Sequence, residues 1–215
     1  MKQKIKQLLC LLLACQLFTG TAWARPDWPA DTGIQAEAGI VMDADSGAIL
    51  FGQNIHVPYP PASITKILTA LIVLEHAQPD EMVTFTETAC NSVESDSGNK
   101  LGVVPGDTLT VEDCLYGLLL VSANQAANAL AEHVAGSIPA FVDMMNDKLA
   151  ELGCTESHFD NPSGLNGDTQ YVTAYDMALI AQAAYQNETL LEISSVKNHK
   201  LAPTINYPGG LTVNQ

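Results

Sequence analysis

The stretch that most restricts this chain runs from Pro60 to His76, Pro-Pro-Ala-Ser-Ile-Thr-Lys-Ile-Leu-Thr-Ala-Leu-Ile-Val-Leu-Glu-His. Two prolines set the approach, and a helix-compatible run follows. Ile64, Ile67, Leu68, Leu71, Ile72, Val73 and Leu74 cover every face of that helix. A helix apolar all round belongs in the interior of a domain. Lys66 nevertheless sits in its first turn, and it is the only Lys, Arg, Asp or Glu between Asp45 and Glu75. A buried ammonium is costly without a partner or a task. Burial and the positive end of the helix dipole both favour the neutral amine, which is a usable base. Ser63 lies three residues earlier on the same face, with Cβ atoms roughly 5–6 Å apart. A serine beside a neutral lysine is an activated nucleophile.

The spacing alone does not single out this pair. Ser-x-x-Lys also occurs at Ser97/Lys100 and Ser194/Lys197. The former lies in a polar loop, Glu-Ser-Asp-Ser-Gly-Asn-Lys, and the latter follows a short apolar run. The former reads as a solvated lysine near a serine, and the latter as a pair on a strand edge.

At 215 residues the chain has room for one sizeable domain. Its beginning reads as something else. Lys2, Lys4 and Lys6 precede an apolar core over 8–18, and Ala22-Trp23-Ala24 is a small-x-small cleavage site. Residues 1–24 are therefore expected to be a secretory signal peptide, and 25–33 a linker. A lipoprotein signal ending at Cys15 is the variant reading, with Leu13 a poor fit to it. Cleavage takes the formal charge from −15 to −18 by removing three lysines. That balance excludes nucleic acid as a partner and argues against docking on anionic lipid. Cys90, Cys114 and Cys154 remain as an odd set, expected as buried thiols rather than a disulfide framework. The histidines lack metal-ligand spacing, so no metal or other cofactor is expected.

Strands are expected over 38–43 and 48–52 as a hairpin, then over 82–86 and 101–104. A helical block follows. Thr110 and Asp113 resemble a capping box. Residues 124–135 form a helix, and Ser137 caps another that buries Phe141, Met145, Leu149 and Leu152 until Gly153 stops it. Further helices are expected from Thr173 to about Tyr185 and over 188–194, then a strand over 196–202. This order suggests an α+β domain whose N- and C-terminal strands share one antiparallel sheet, flanked by a helical cluster.

Ser122-Ala123-Asn124 sits between two of these helices, 59 residues after Ser63. A hydroxyl and an amide at such a junction can relay a proton and hold a substrate carbonyl. Equally, Ser122 or Asn124 can simply cap the helix beginning there. Ser97-Gly98-Asn99 is a second run of the same spelling.

Ser-x-x-Lys followed by Ser-x-Asn resembles the motif set of penicillin-binding proteins and class A β-lactamases. Other segments are similar to the low-molecular-weight D-alanyl-D-alanine carboxypeptidases, peptidase family S11. They are Gly39–Asp43 before Ser46-Gly47, Pro61–Lys66, Leu120–Asn124 with Ala126-Ala127, Met145-Asn146 with Leu152-Gly153, Phe159–Leu165, and Thr173–Ala178. The resemblance spans 34–215 and implies a β-lactamase/transpeptidase-like fold.

Residue by residue, the resemblance implies that Ser63 attacks the bond between two D-alanines of a peptidoglycan stem peptide. Lys66 is the general base, Ser122 a proton relay and Asn124 a substrate-binding residue, and the Ser63 backbone N–H is half of an oxyanion hole. β-Lactams are the implied inhibitors, and the location is the periplasm or the outer face of the cytoplasmic membrane. Gln125 and Gln170 stand where the family usually has Asp and often His. The family's third motif, Lys-Thr-Gly, does not occur in the sequence. Its absence leads to the expectation of a C-terminally truncated, inactive chain, with the final strands and any membrane anchor lying beyond it. A class A β-lactamase is the alternative enzyme, but its Glu-x-x-Leu-Asn segment is not found. A non-catalytic wall-binding protein is the third possibility.

Overall fold

The computed structural model describes residues 34–91, 100–165 and 167–215. The segments 1–24 and 25–33, Ser97 of the second Ser-x-x-Lys, and Ser97-Gly98-Asn99 lie outside the described residues. The chain divides between Gln35 and Ala36, and the unit Ala36–Gln215 carries every element below.

That unit holds β1 (Gly39–Met42), β2 (Ile49–Gln53), a 3-10 turn (Ala62–Thr65), α1 (Lys66–His76), β3 (Met82–Thr84), α2 (Glu87–Asn91) and β4 (Thr108–Thr110). Then come α3 (Val111–Leu120), α4 (Asn124–Ala135), α5 (Ile138–Glu151), α6 (Ala174–Ala184), α7 (Glu188–Ser195), β5 (Asn198–Lys200) and β6 (Thr212–Asn214). The α+β class is as expected.

The run after Lys66 makes α1 the hub, packed by α3, α4, α5, α6 and α7. Leu68, Leu71, Ile72 and Val73 are buried there. Each such side chain contributes roughly 1.5–3 kcal/mol on burial. Their sum is enough for the core to carry a desolvated lysine at its edge.

The helix starts follow local chemistry. Thr110, Ser137, Thr173 and Asn187 each accept a hydrogen bond from the backbone N–H three residues on, at 3.0, 3.3, 3.1 and 3.0 Å. Such caps satisfy N–H groups that the helix itself leaves open. The capping box expected at Thr110 is only half formed. The Asp113 carboxylate does not fold back on the cap but accepts from the Ala202 N–H (2.9 Å) and His199 Nε2 (2.8 Å). His199 also stacks on Tyr116, with ring centroids 3.7 Å apart. Asp113 thus ties the last hairpin to α3.

The strands depart from expectation in three ways. Among the described residues they form three separate antiparallel pairs, β1–β2, β3–β4 and β5–β6, so the first and last strands do not share a sheet. Residues 101–104 form no strand, and β3 pairs instead with Thr108–Thr110. The reason is that side chains take the polar groups of that loop. The Val104 N–H donates to the Asp107 carboxylate (2.8 Å), while the Val103 and Gly102 carbonyls accept from Gln125 Nε2 (3.2 Å) and Asn206 Nδ2 (2.8 Å). Leu101 and Val103 are buried, as apolar residues should be, but without a ladder. Finally, the strand expected over 196–202 is shorter and has a partner, β6, that the sequence reading lacks.

Candidate active site

The 3-10 turn decides how Ser63 meets Lys66. Side chains at i and i+3 eclipse in a 3-10 turn, and Ser63 accordingly stands over Lys66 at the mouth of α1. Lys66 Nζ donates to Ser63 Oγ at 3.2 Å and to the Ser163 carbonyl at 2.6 Å. Ser63 is exposed, whereas Lys66 is only 2% exposed. No carboxylate pairs with this lysine among the described residues. Burial pulls its ammonium down from the ordinary lysine range to about 8. A neutral amine can keep one N–H on the Ser163 carbonyl and turn its lone pair to the Ser63 O–H.

The same turn corrects one expectation. Ile64 is not in the core but 45% exposed, because the 3-10 turn rotates it away from the α1 face. It lines a groove with Ile40, Met42, Met177 and Ala181.

The loop 161–165 closes the site from behind. The Pro162 carbonyl accepts from Thr69 Oγ1 at 2.8 Å, one turn along α1 from Lys66. Gly164 has φ +81°, and a Cβ there would lie 1.8 Å from the Ala62 carbonyl oxygen. Only glycine fits that approach. Ala62 itself adopts φ +49°, and its carbonyl accepts from Thr65 Oγ1 at 2.9 Å. Sequence reasoning found this loop as a family-like segment but assigned it no contact with Lys66. A backbone carbonyl reached across 97 positions has no residue-type signal.

Ser122 and Asn124 lie at the α3–α4 junction, and α1 packs on both of those helices. Neither residue caps α4. Ala123 holds the cap position without a side-chain bond, and its N–H donates to the Gly117 carbonyl at 3.0 Å. Asn124 is the first residue of α4 and is buried. Ser122 has φ +56°, a left-handed conformation unusual for serine, and its buried Oγ has no hydrogen-bond partner among the described residues. Each feature costs about 1–3 kcal/mol. Backbone strain and unused bonding capacity thus coincide at Ser122. The hydroxyl makes no hydrogen bond to Ser63 or Lys66. Gln125 points the other way, to the loop at Val103, and Gln170 is buried.

The Ser194/Lys197 decoy behaves as a decoy. Ser194 Oγ donates to the Leu191 carbonyl at 3.1 Å, and Lys197 is exposed. Cys90, Cys114 and Cys154 are free and buried. Burial raises all three thiols, Cys154 to about 12, with Asp176 adding to it. They stay protonated and inert.

Comparison with known proteins gives the family and the fold. The family model for D-alanyl-D-alanine carboxypeptidase, peptidase family S11, matches residues 25–209. The chain is 40% identical over 176 residues to the D-alanyl-D-alanine carboxypeptidase DacB2 of Mycobacterium tuberculosis, covering 79% of this chain and 55% of that protein. It is 31% identical over 196 residues to DacF of Bacillus subtilis, covering 88% of this chain and 50% of that protein. The chain thus spans about half the length of these relatives. Among solved structures, a D-alanyl-D-alanine carboxypeptidase from M. tuberculosis H37Rv superposes with a TM-score of 0.75 at 37% identity, over 88% of this chain and 68% of that one. Penicillin-binding protein 6B from Escherichia coli does so with a TM-score of 0.78 at 29% identity, over 88% and 60%. A family model matched over most of the chain, with the same fold in its neighbours, establishes that this chain belongs to the D-alanyl-D-alanine carboxypeptidase family, peptidase family S11.

Proposed function

We propose that the protein is a serine-type D-Ala-D-Ala carboxypeptidase of peptidoglycan, with Ser63 as nucleophile, Lys66 as general base, Ser122 as proton relay and Asn124 holding substrate. The observation that carries this reading is the contact between Lys66 Nζ and Ser63 Oγ, made by a lysine with no carboxylate partner among the described residues. The neutral amine takes the Ser63 proton as Oγ bonds to the carbonyl carbon of the penultimate D-alanine. The Ser63 N–H, among the first N–H groups of its turn, faces the oxyanion. As the tetrahedral intermediate collapses, the C–N bond breaks. The proton passes from Lys66 through the Ser122 hydroxyl to the amine of the departing D-alanine. Water then hydrolyses the ester, releasing the shortened peptide and restoring Ser63.

A β-lactam presents a strained amide to the same oxygen and leaves an acyl-enzyme at Ser63. Residues 1–24 act as an export signal, 25–33 as a linker and 34–215 as the peptidase-family domain, placing the chemistry outside the cytoplasmic membrane. No helix among the described residues is long and apolar enough to cross a membrane.

The test, on the protein at the full length of its relatives, is labelling by a fluorescent penicillin together with release of D-alanine from a synthetic stem pentapeptide. Ser63→Ala is expected to abolish both. Continued labelling of that variant would overturn the nucleophile. Rapid turnover of the β-lactam without D-alanine release would favour the β-lactamase alternative.

A further inference from the structure

The base is aimed by a loop, and the loop is folded by one side chain. Asn161 Oδ1 accepts from the Ser163 N–H (3.1 Å), Ser163 Oγ (3.0 Å) and the Gly164 N–H (2.8 Å). Its Nδ2 donates to the Leu165 carbonyl. These bonds engage both ends of the Asn161 amide with the backbone and hydroxyl of its own loop, an Asx-type turn. The turn points the Ser163 carbonyl at Lys66 Nζ, the Pro162 carbonyl at Thr69 and Gly164 at Ala62. A lysine amine is a rotor with three equivalent directions. The Ser163 carbonyl holds one of them, which leaves the lone pair a defined direction towards Ser63.

We propose that Asn161 is a positioning residue for Lys66. It sets the direction and the proton affinity of the base through the Ser163 carbonyl without touching substrate. This inference rests on the reading of Lys66 as base for Ser63. Two consequences separate it from a structural role. With the turn undone, the ammonium loses a carbonyl that stabilises the charged form, so Lys66 titrates at lower pH. The amine also loses its orientation, so the limiting rate of Ser63 acylation falls even where Lys66 is fully neutral. Misplacement of a reacting group by about 1 Å costs up to roughly a hundredfold.

The experiment uses the full chain and two readouts. One is the NMR titration of Lys66 Cε in protein labelled with 13C-lysine, and the other is the pH profile of acylation by a fluorescent penicillin. Asn161→Ala is expected to lower the Lys66 midpoint and to cut the plateau acylation rate roughly ten- to hundredfold. Asn161→Asp keeps the acceptor oxygen for the turn and is expected to recover most of that plateau rate. It also serves if the alanine variant fails to fold. The proposal is overturned if Asn161→Ala keeps the parent midpoint and plateau and loses only stability. Absence of acylation in the parent protein at the full length of its relatives would instead refute the reading of Ser63, and the Lys66 titration would still decide the role of Asn161.

Discussion

Two short turns carry the serines of this site, and they are built on opposite terms. The turn at Ala62–Lys66 and the junction at Val121–Asn124 each hold one non-glycine residue in the left-handed region, Ala62 at φ +49° and Ser122 at φ +56°. At the first turn the strain is locked in by neighbours. The Ala62 carbonyl accepts from Thr65 and packs against Gly164, and Lys66 has two acceptors for its amine. At the second, the strained residue is the serine itself, and its hydroxyl has no partner among the described residues. The first turn is a fixture that holds the Lys66 amine between two oxygens. The second leaves a hydroxyl with unused bonding capacity, which the relay role proposed for Ser122 would use.

The sharpest way to break the contrast is to remove the fixed base. Lys66→Met is expected to reduce acylation by about 10²–10⁴-fold. Its stability at neutral pH should be unchanged or up to about 2 kcal/mol higher, because a desolvated cation has gone. The sign follows from the lowered value of about 8. Between that value and the ordinary lysine value near 10.5, the unfolded chain holds more protons than the folded one. Stability from this group therefore rises with pH across that window, and Lys66→Met should lose the rise in denaturant titrations. A large destabilisation at neutral pH would mean that the lysine is structural. In the parent protein, acylation should climb about tenfold per pH unit below 8 and level off above it. A flat profile from pH 6 to 9 would contradict a titrating base.

Gly164→Ala attacks the same fixture from the loop side. The added Cβ meets the Ala62 carbonyl, so a loss of about 3 kcal/mol or more is expected in chemical denaturation. A near-neutral result would show that the loop can retreat and does not lock the turn.

At the second turn the expected signs are reversed. Ser122→Ala removes a buried hydroxyl with no partner among the described residues, so stability should hold or rise slightly while acylation drops roughly 10²-fold. Should the variant label at the parent rate, Ser122 is no relay. Ser122→Gly also relieves the left-handed strain, so at the same loss of rate it should stabilise by up to about 1 kcal/mol. Destabilisation there would mean that the strained geometry depends on the serine side chain.

Much of the architecture was legible because it is local. A cap reaches three residues along the chain, and the caps at Thr110, Ser137 and Thr173 formed where residue type and spacing placed them. The uninterrupted apolar character after Lys66 marked α1 as the hub before any packing was known. Among the described residues, Ser63/Lys66 opens an apolar helix and Ser194/Lys197 does not. The misreadings share one cause. Residues 101–104 read as a short strand beside a polar loop, yet Gln125, Asp107 and Asn206 hold the polar groups that a ladder needs. Asp113 looks like half of a capping box, yet its carboxylate serves Ala202 and His199. In each case a distant side chain outcompeted the local partner.

From the sequence alone come the buried helix, the lysine at its mouth, the serine three residues before it, and the separation of that pair from its look-alikes. These depend on residue type and helical periodicity, which any reader of the chain can count. The tertiary structure decided what the lysine is held by, which strand pairs with which, and that Ser122 is strained and without a partner among the described residues rather than a helix cap. Those outcomes turn on backbone carbonyls and on side chains brought together from far along the chain. Every residue carries the same carbonyl, so only the fold can say which one lies 2.6 Å from Lys66.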